Sequence, residues 1–120
     1  MTPKPLKHVL IIEDQPETRE VLQRLLEGYP GVKISAAGDP ESARRLWRKH
    51  KPGLVFLDLY LPELKGLSLL SEIKNEKFAT SVVIVTGASD IETGKEALNA
   101  GAWDFVSKPF EPQRVRQLVE

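Results

Sequence analysis

Short runs of apolar residues alternate with longer mixed segments along the whole chain. Residues 9–12, 54–57 and 82–85 contain only aliphatic or aromatic side chains, and such runs are typical of strands buried on both faces of a parallel sheet. Residues 32–36 and 105–106 are expected to form two further strands. The hydrophobic pattern therefore predicts five strands, separated by segments that are long enough for helices.

The segments after these strands predict five helices. Apolar residues recur at helical spacing in the first three helices, and they are Val21, Leu22, Leu25 and Leu26, then Ala43, Leu46 and Trp47, then Leu67, Leu70 and Ile73. Asp39 is expected to cap the second helix, and Ser89 with Glu92 to form a capping box at the fourth. The last helix is expected over 111–120. This alternation predicts an α/β fold with a doubly wound, five-stranded parallel sheet of the (βα)5 type.

Length and composition indicate one domain that acts through a local site. The chain has 120 residues, which suits a single domain over 1–120. Its 17 basic residues balance 17 acidic ones, so the net charge does not indicate a nucleic-acid or membrane surface. Cysteine is absent, which excludes disulfides and thiolate metal sites. No aliphatic run approaches the roughly 20 residues that span a bilayer, and we therefore expect a cytoplasmic protein.

Three acidic residues follow strands that are expected to be neighbours. Glu13 and Asp14 come after the first strand, and Asp58 ends the third. Ligand sites in open parallel sheets form beyond the carboxyl ends of the strands. Clustered carboxylates repel one another unless a cation lies among them, and their oxygen atoms favour Mg²⁺ or Mn²⁺. The alternative for Glu13 and Asp14 alone is that they only cap the helix that follows.

Asp58, Thr86 and Lys108 each end a predicted strand, and together they suit phosphoryl chemistry. The carboxylate of Asp58 can act as a nucleophile toward phosphorus. Thr86 can donate its hydroxyl to a phosphoryl oxygen, and Lys108 can neutralise the charge on the transferring group. Gly87 keeps the next loop small enough for its backbone amides to approach that group. Alone, Thr86 or Lys108 would be an ordinary polar residue at a strand end.

The chain resembles the receiver domains of bacterial two-component response regulators over almost its whole length. Four motifs in the family's order carry the likeness, and they are Glu13-Asp14, Asp58 within Leu-Val-Phe-Leu-Asp-Leu-Tyr-Leu-Pro with Gly66 following, Thr86-Gly87, and Lys108-Pro109-Phe110 preceded by Phe105. The resemblance implies the flavodoxin-like receiver fold. It also implies a phosphorylation-dependent signalling switch.

The resemblance further implies how the acidic residues act. Asp58 would be the phosphoacceptor, taking a phosphoryl group from a histidine of a sensor kinase or of a histidine phosphotransfer protein. Glu13, Asp14, Asp58 and the backbone carbonyl of Tyr60 would surround Mg²⁺, with Mn²⁺ as a substitute. The longer side chain of Glu13 makes contact through water an alternative to direct contact with the metal.

The remaining motif residues are expected, on the same resemblance, to respond to the phosphoryl group. Thr86, Gly87 and Lys108 would hold it, and Phe105 would be the aromatic switch residue. The peptide bond before Pro109 would be cis, an isomer that only proline adopts at low cost. The surface around the fourth helix, the fifth strand and the last helix would then change shape.

These expectations describe a switch rather than an enzyme with an external substrate. The chain would catalyse only phosphoryl transfer to itself and its own dephosphorylation. Its partners would be the kinase or phosphotransfer protein and an output domain or downstream protein, with homodimerisation on phosphorylation. The last helix runs to Glu120 without a stop signal, which favours a receiver excised from a longer regulator. No direct contact with nucleic acid or membrane is expected from this domain.

Three alternative functions would each require different residues. A phosphatase of the haloacid dehalogenase type needs a second acid two residues after the nucleophile, and that position is Tyr60. A flavodoxin-like flavin binder needs a phosphate-binding loop after the first strand, where Glu13 and Asp14 would repel a phosphate. A pseudo-receiver used only for docking would not need the complete set of acidic and phosphoryl-binding residues.

Overall fold

The computed structural model describes residues 7–58, 66–87, 91–108 and 111–119, with the backbone alone at positions 66, 67, 86, 91, 93 and 94. Five strands alternate with five helices in these ranges. In chain order they are β1 (Lys7–Ile12), α1 (Pro16–Glu27), β2 (Val32–Ala37), α2 (Pro40–His50), β3 (Leu54–Asp58), α3 (Gly66–Lys74), β4 (Ser81–Gly87), α4 (Ile91–Asn99), β5 (Asp104–Lys108) and α5 (Pro112–Val119).

The strands form one parallel sheet in the order β2-β1-β3-β4-β5. This order confirms the predicted doubly wound α/β fold of flavodoxin-like type. From β1 the chain adds β2 on one side of the sheet and then crosses to β3 on the other. A crevice forms at the carboxyl ends of strands where the order reverses in this way, and ligands bind there. In this chain that position lies beyond β1 and β3.

The sheet is covered on both faces, which explains its apolar strands. Leu10 and Ile12 pack with buried residues of α2, α3 and α4 on one face. Val9 and Ile11 pack with α1 and α5 on the other. Successive side chains of a strand point to opposite faces, so a strand between two helical layers must be apolar at every position. The helices thereby hold the polar residues in place at the carboxyl ends of the strands.

The helix ends show one predicted cap and one glycine in a left-handed conformation. Asp39 caps α2, since its Oδ1 accepts a hydrogen bond of 2.8 Å from the backbone N–H of Ser42. Gly101 follows α4 with φ of 108°, a left-handed conformation that favours glycine. The last helix begins at Pro112, one residue later than expected. Ser89 of the predicted capping box lies outside the described residues.

No helix within the described ranges is long and apolar enough to cross a membrane.

Candidate metal and phosphoryl site

Three carboxylates meet at the carboxyl edge of the sheet. Glu13 and Asp14 follow β1, and Asp58 is the last residue of β3. One carboxylate oxygen of each lies within 4.8 Å of the others. The backbone N–H of Glu13 donates to the carbonyl of Ala37 at 3.0 Å, so pairing with β2 continues beyond the last residue of β1. The structure therefore brings together the acids that the sequence analysis grouped.

Burial and mutual repulsion make this cluster unfavourable for negative charge alone. Glu13 is 1% exposed and Asp58 is 3% exposed, whereas Asp14 is partly exposed. Burial, and then the neighbouring Asp58 carboxylate, raise the pKa of Glu13 to about 7, and Lys108 offsets only part of this increase. Among the described residues, nothing donates a hydrogen bond to the buried Oε2 of Glu13.

Lys108, the last residue of the edge strand β5, brings a positive charge into the same cluster. Its Nζ lies 3.4 Å from Oε1 of Glu13 and 3.6 Å from Oδ2 of Asp58. Lys108 ends β5, which is separated from β3 by β4, and its long side chain spans that distance. The ammonium group was predicted to lie beside a phosphoryl group on Asp58. In the structure it contacts both carboxylates.

The donor set suits a hard divalent cation. Glu13, Asp14 and Asp58 offer three carboxylates, and Mg²⁺ and Mn²⁺ favour such oxygen ligands. The unpaired Oε2 of Glu13 is a buried acceptor that a cation or its bound water would satisfy. Tyr60, whose carbonyl the family resemblance adds to this set, lies outside the described residues.

The ends of β4 and β5 place the predicted phosphoryl-binding positions beside Asp58. Asp58 pairs with Val85, so the backbone of Thr86 lies one residue further along β4. Gly87 pairs with Lys108. The side chain of Thr86 is outside the described part of the structure, as is Pro109 with the predicted cis bond.

Phe105 lies in β5, beside the strand that carries Thr86 and against one of the two helical layers. It pairs with Ile84 on β4, two residues before Thr86. Its partly buried ring packs against the core formed with α2, α3 and α4. Phe105 therefore lies where a ring that changes position would alter packing on the α4 side of β5.

Sequence reasoning missed one residue that contacts the site. Arg19 of α1 donates from Nη1 to the backbone carbonyl of Glu13 at 2.9 Å. Its guanidinium lies directly beside Gly38. The only sequence signal was a basic residue six positions after Glu13, in the second turn of the helix, and no motif distinguished it from a surface arginine.

Comparison with known proteins identifies what this arrangement is similar to. The model of the response regulator receiver domain family matches residues 9–120. The chain is 39% identical over 113 residues to a probable C4-dicarboxylate response regulator, DctR, of Priestia megaterium, with 93% of this chain and 50% of that protein covered. It is 37% identical over 112 residues to the transcriptional regulatory protein DpiA of Escherichia coli strain K12, with 92% and 50% covered.

A solved structure gives the same result at the level of the fold. The receiver domain of NtrX from Brucella abortus superposes with a TM-score of 0.85 at 35% identity, with 92% of this chain and 93% of that chain covered. The curated relatives are longer proteins, and this chain spans about half their length.

Proposed function

This chain belongs to the receiver domains of response regulators, and we propose that Asp58 is the residue at which it accepts a phosphoryl group. As a receiver domain it is a phosphorylation-dependent signalling switch. The observation that carries the assignment is the position of the Asp58 carboxylate, which lies among the acids of the cluster and 3.6 Å from the Lys108 ammonium. No other described carboxylate ends a central strand at this edge of the sheet.

The transfer itself is a nucleophilic displacement at phosphorus. A carboxylate oxygen of Asp58 forms a bond to phosphorus, and the bond from phosphorus to the donor breaks, with its electron pair leaving on the donor. Glu13, Asp14 and Asp58 would hold Mg²⁺, which when bound would supply positive charge for the phosphoryl oxygens. Lys108 is close enough to add its own positive charge to those oxygens. The hydroxyl of Thr86 and the backbone amide of Gly87 would donate hydrogen bonds to them.

Receiver domains are signalling domains rather than classic enzymes. We infer that this chain catalyses only the phosphorylation of its own Asp58 and the later hydrolysis of that bond. Both reactions use the same residues, because the acyl phosphate forms and breaks among the same carboxylates and donors. Phosphorylation would then change the surface formed by α4, β5 and α5.

The proposed partners follow from the site and from the relatives. The donor would be a phosphohistidine on a sensor histidine kinase or a histidine phosphotransfer protein, which must approach the carboxyl edge of the sheet to reach Asp58. The relatives are named as response and transcriptional regulators, which supports an output domain or downstream protein as the reader. A homodimer on phosphorylation is part of the same proposal. The balanced charge of 17 basic and 17 acidic residues supports no direct nucleic-acid contact by this domain.

Family membership removes two of the three rival readings, the haloacid dehalogenase type of phosphatase and the flavin binder. A pseudo-receiver that only docks would share this fold but would not be phosphorylated. A phosphorylation experiment therefore separates it from the proposed function.

We expect Mg²⁺ with acetyl phosphate to add one phosphoryl group to the chain, at Asp58. Intact-mass measurement should show this addition for the wild type and none for Asp58→Asn, because the amide cannot act as the nucleophile. Asp104→Asn is a matched control. Asp104 is the first residue of β5 and lies at the amino end of that strand, away from the carboxyl ends where the site lies. This variant should be labelled like the wild type.

Undiminished labelling of Asp58→Asn would show that Asp58 is not the acceptor. A wild type that takes no label from acetyl phosphate or from a phosphohistidine donor would favour the pseudo-receiver.

A further inference from the structure

The loop that carries the acidic pair is held from two sides at Glu13. The backbone N–H of Glu13 donates to Ala37 of β2 at 3.0 Å. Its carbonyl accepts a hydrogen bond of 2.9 Å from Nη1 of Arg19 on α1. Both peptide groups of this residue are therefore fixed. The hydrogen bond from Arg19 holds the orientation of the peptide group between Glu13 and Asp14. It therefore also influences the direction in which the backbone of Asp14 begins.

Gly38 provides the space that this second bond requires. A Cβ atom at position 38 would lie 2.7 Å from Nη1 of Arg19 and 3.6 Å from its Cζ. The backbone of Gly38 is not in the left-handed region, so its conformation does not by itself require glycine. A side chain at position 38 would therefore displace the end of the Arg19 side chain from its present place.

The charge of Arg19 is directed at this carbonyl rather than at an acid. In the part of the chain that the structure describes, Arg19 forms no ion pair with a carboxylate. A hydrogen bond from a charged donor is shorter and stronger than a neutral one. Groups that orient metal ligands from behind commonly change metal affinity 10–100-fold when they are removed.

We propose that Arg19 is a positioning residue for the divalent-cation site and that Gly38 is the glycine that admits its guanidinium. Arg19 holds the Glu13 carbonyl, and through it the two adjacent carboxylates, in the arrangement that binds the ion. This inference rests on the proposed function, because the ion is the Mg²⁺ of that site. It adds two residues that none of the predicted motifs contains.

Mg²⁺ affinity tests the proposal directly, through amide chemical shifts or through Mn²⁺ binding followed by electron paramagnetic resonance. Arg19→Met keeps the length of the side chain without its donors, and it should weaken binding about 10-fold. Gly38→Ala leaves the arginine in place but displaces the end of its flexible side chain, so it should weaken binding in the same way. Arg19→Lys retains one charged donor and should recover part of the loss.

Arg24→Met is the matched control, since Arg24 is an exposed arginine of α1 that pairs with Glu20. It should bind Mg²⁺ within twofold of the wild type. Urea unfolding in the presence of EDTA reports the fold separately from the metal. A purely structural Arg19 would lower the unfolding midpoint and leave the metal affinity of the folded chain unchanged.

Wild-type affinity in Gly38→Ala and in a folded Arg19 variant would overturn the positioning role. If Arg19→Met does not fold, Gly38→Ala and Arg19→Lys decide the question. A wild-type chain that binds no Mg²⁺ would instead overturn the proposed metal site itself, so the two failures are distinguishable.

Discussion

At the scale of single residues, Glu13 has an environment that would suit a bound cation. An acid that is 1% exposed and lies beside a second buried carboxylate is costly to ionise, and its pKa rises to about 7. A divalent cation bound among these acids would remove that cost, because it interacts favourably with every carboxylate at once. The unpaired Oε2 atom and the raised pKa thus have one physical cause, the burial of negative charge.

Lys108 is expected to act on the phosphoryl group rather than on the metal. Its ammonium lies beside two proposed metal ligands, where it competes with a cation, so Lys108→Ala should bind Mg²⁺ at least as tightly as the wild type. The variant should lose the charge-assisted bond to the phosphoryl group, which is worth about 1.5 to 3 kcal/mol. Amide-shift mapping of the phosphorylated chain should then show a weakened shape change.

Lys49→Ala is a suitable control for this prediction, since Lys49 is an exposed lysine of α2, outside the surface that is expected to respond. A loss of Mg²⁺ affinity in Lys108→Ala, together with an unchanged response to phosphorylation, would reverse the role assigned to Lys108.

At the scale of secondary-structure elements, the two tryptophans have different roles. Trp47 was predicted to lie on the apolar face of α2, and this is confirmed, since its side chain is 0% exposed. Its Nε1 donates to Oε1 of Glu76, just after α3, at 2.9 Å. Trp103 precedes β5 and is 54% exposed. Trp47 therefore joins α2 to α3 through the core, whereas Trp103 contributes much less buried area.

Trp47→Ala should lower the free energy of unfolding by about 3 to 5 kcal/mol, because it opens a cavity in the core. Trp103→Ala should change it by about 0.5 kcal/mol or less, as is typical of surface substitutions. Urea unfolding of both variants at the same pH measures the difference. Equal losses would mean that the burial of Trp47 does not determine how strongly α2 is held.

At the scale of the whole molecule, the order of the strands predicts which side of the sheet responds to phosphorylation. Lys108 lies at the end of β5, an edge strand that pairs with β4 alone. The opposite edge strand, β2, pairs with β1 and reaches the site through the hydrogen bond between Ala37 and the backbone N–H of Glu13. A pull on Lys108 is therefore expected to move β5 and the helices next to it in sequence, α4 and α5, more than β2 and α2.

Phosphorylation of the wild type should produce amide-shift changes that extend from the site into α4, β5 and α5. The shifts of β2 and α2 should change less, because the central strands β1 and β3 are packed on both faces. Asp58→Asn treated with the same donor should show none of these changes. Changes of equal size on both edges of the sheet would contradict the proposed output surface.

Much of this fold could be predicted because its strands and helices follow short sequence patterns that repeat along the chain. Strands buried on both faces must be apolar throughout, so β1, β3 and β4 are visible as uninterrupted runs. Glu13 and Asp58 could be recognised for the same reason, since each directly follows an apolar run. The prediction was less accurate where neighbouring residues face different directions: Val21 was placed on the apolar side of α1, but it is half-exposed. Val21 lies at the margin of the apolar stripe of α1, where a side chain is only partly covered by the sheet.

The sequence by itself determined the βα alternation, the doubly wound sheet and the grouping of Glu13, Asp14 and Asp58, because these depend on periodicity and on residue types at strand ends. The presence of Lys108 at this edge was also predicted, but only the tertiary structure decided which groups Lys108 and other distant side chains contact there. The contact of Lys108 with Glu13 joins residues 95 positions apart. The bond from Arg19 to the Glu13 carbonyl depends on the space beside Gly38. Such contacts depend on side-chain directions and on gaps between packed elements, which no periodicity along the chain encodes.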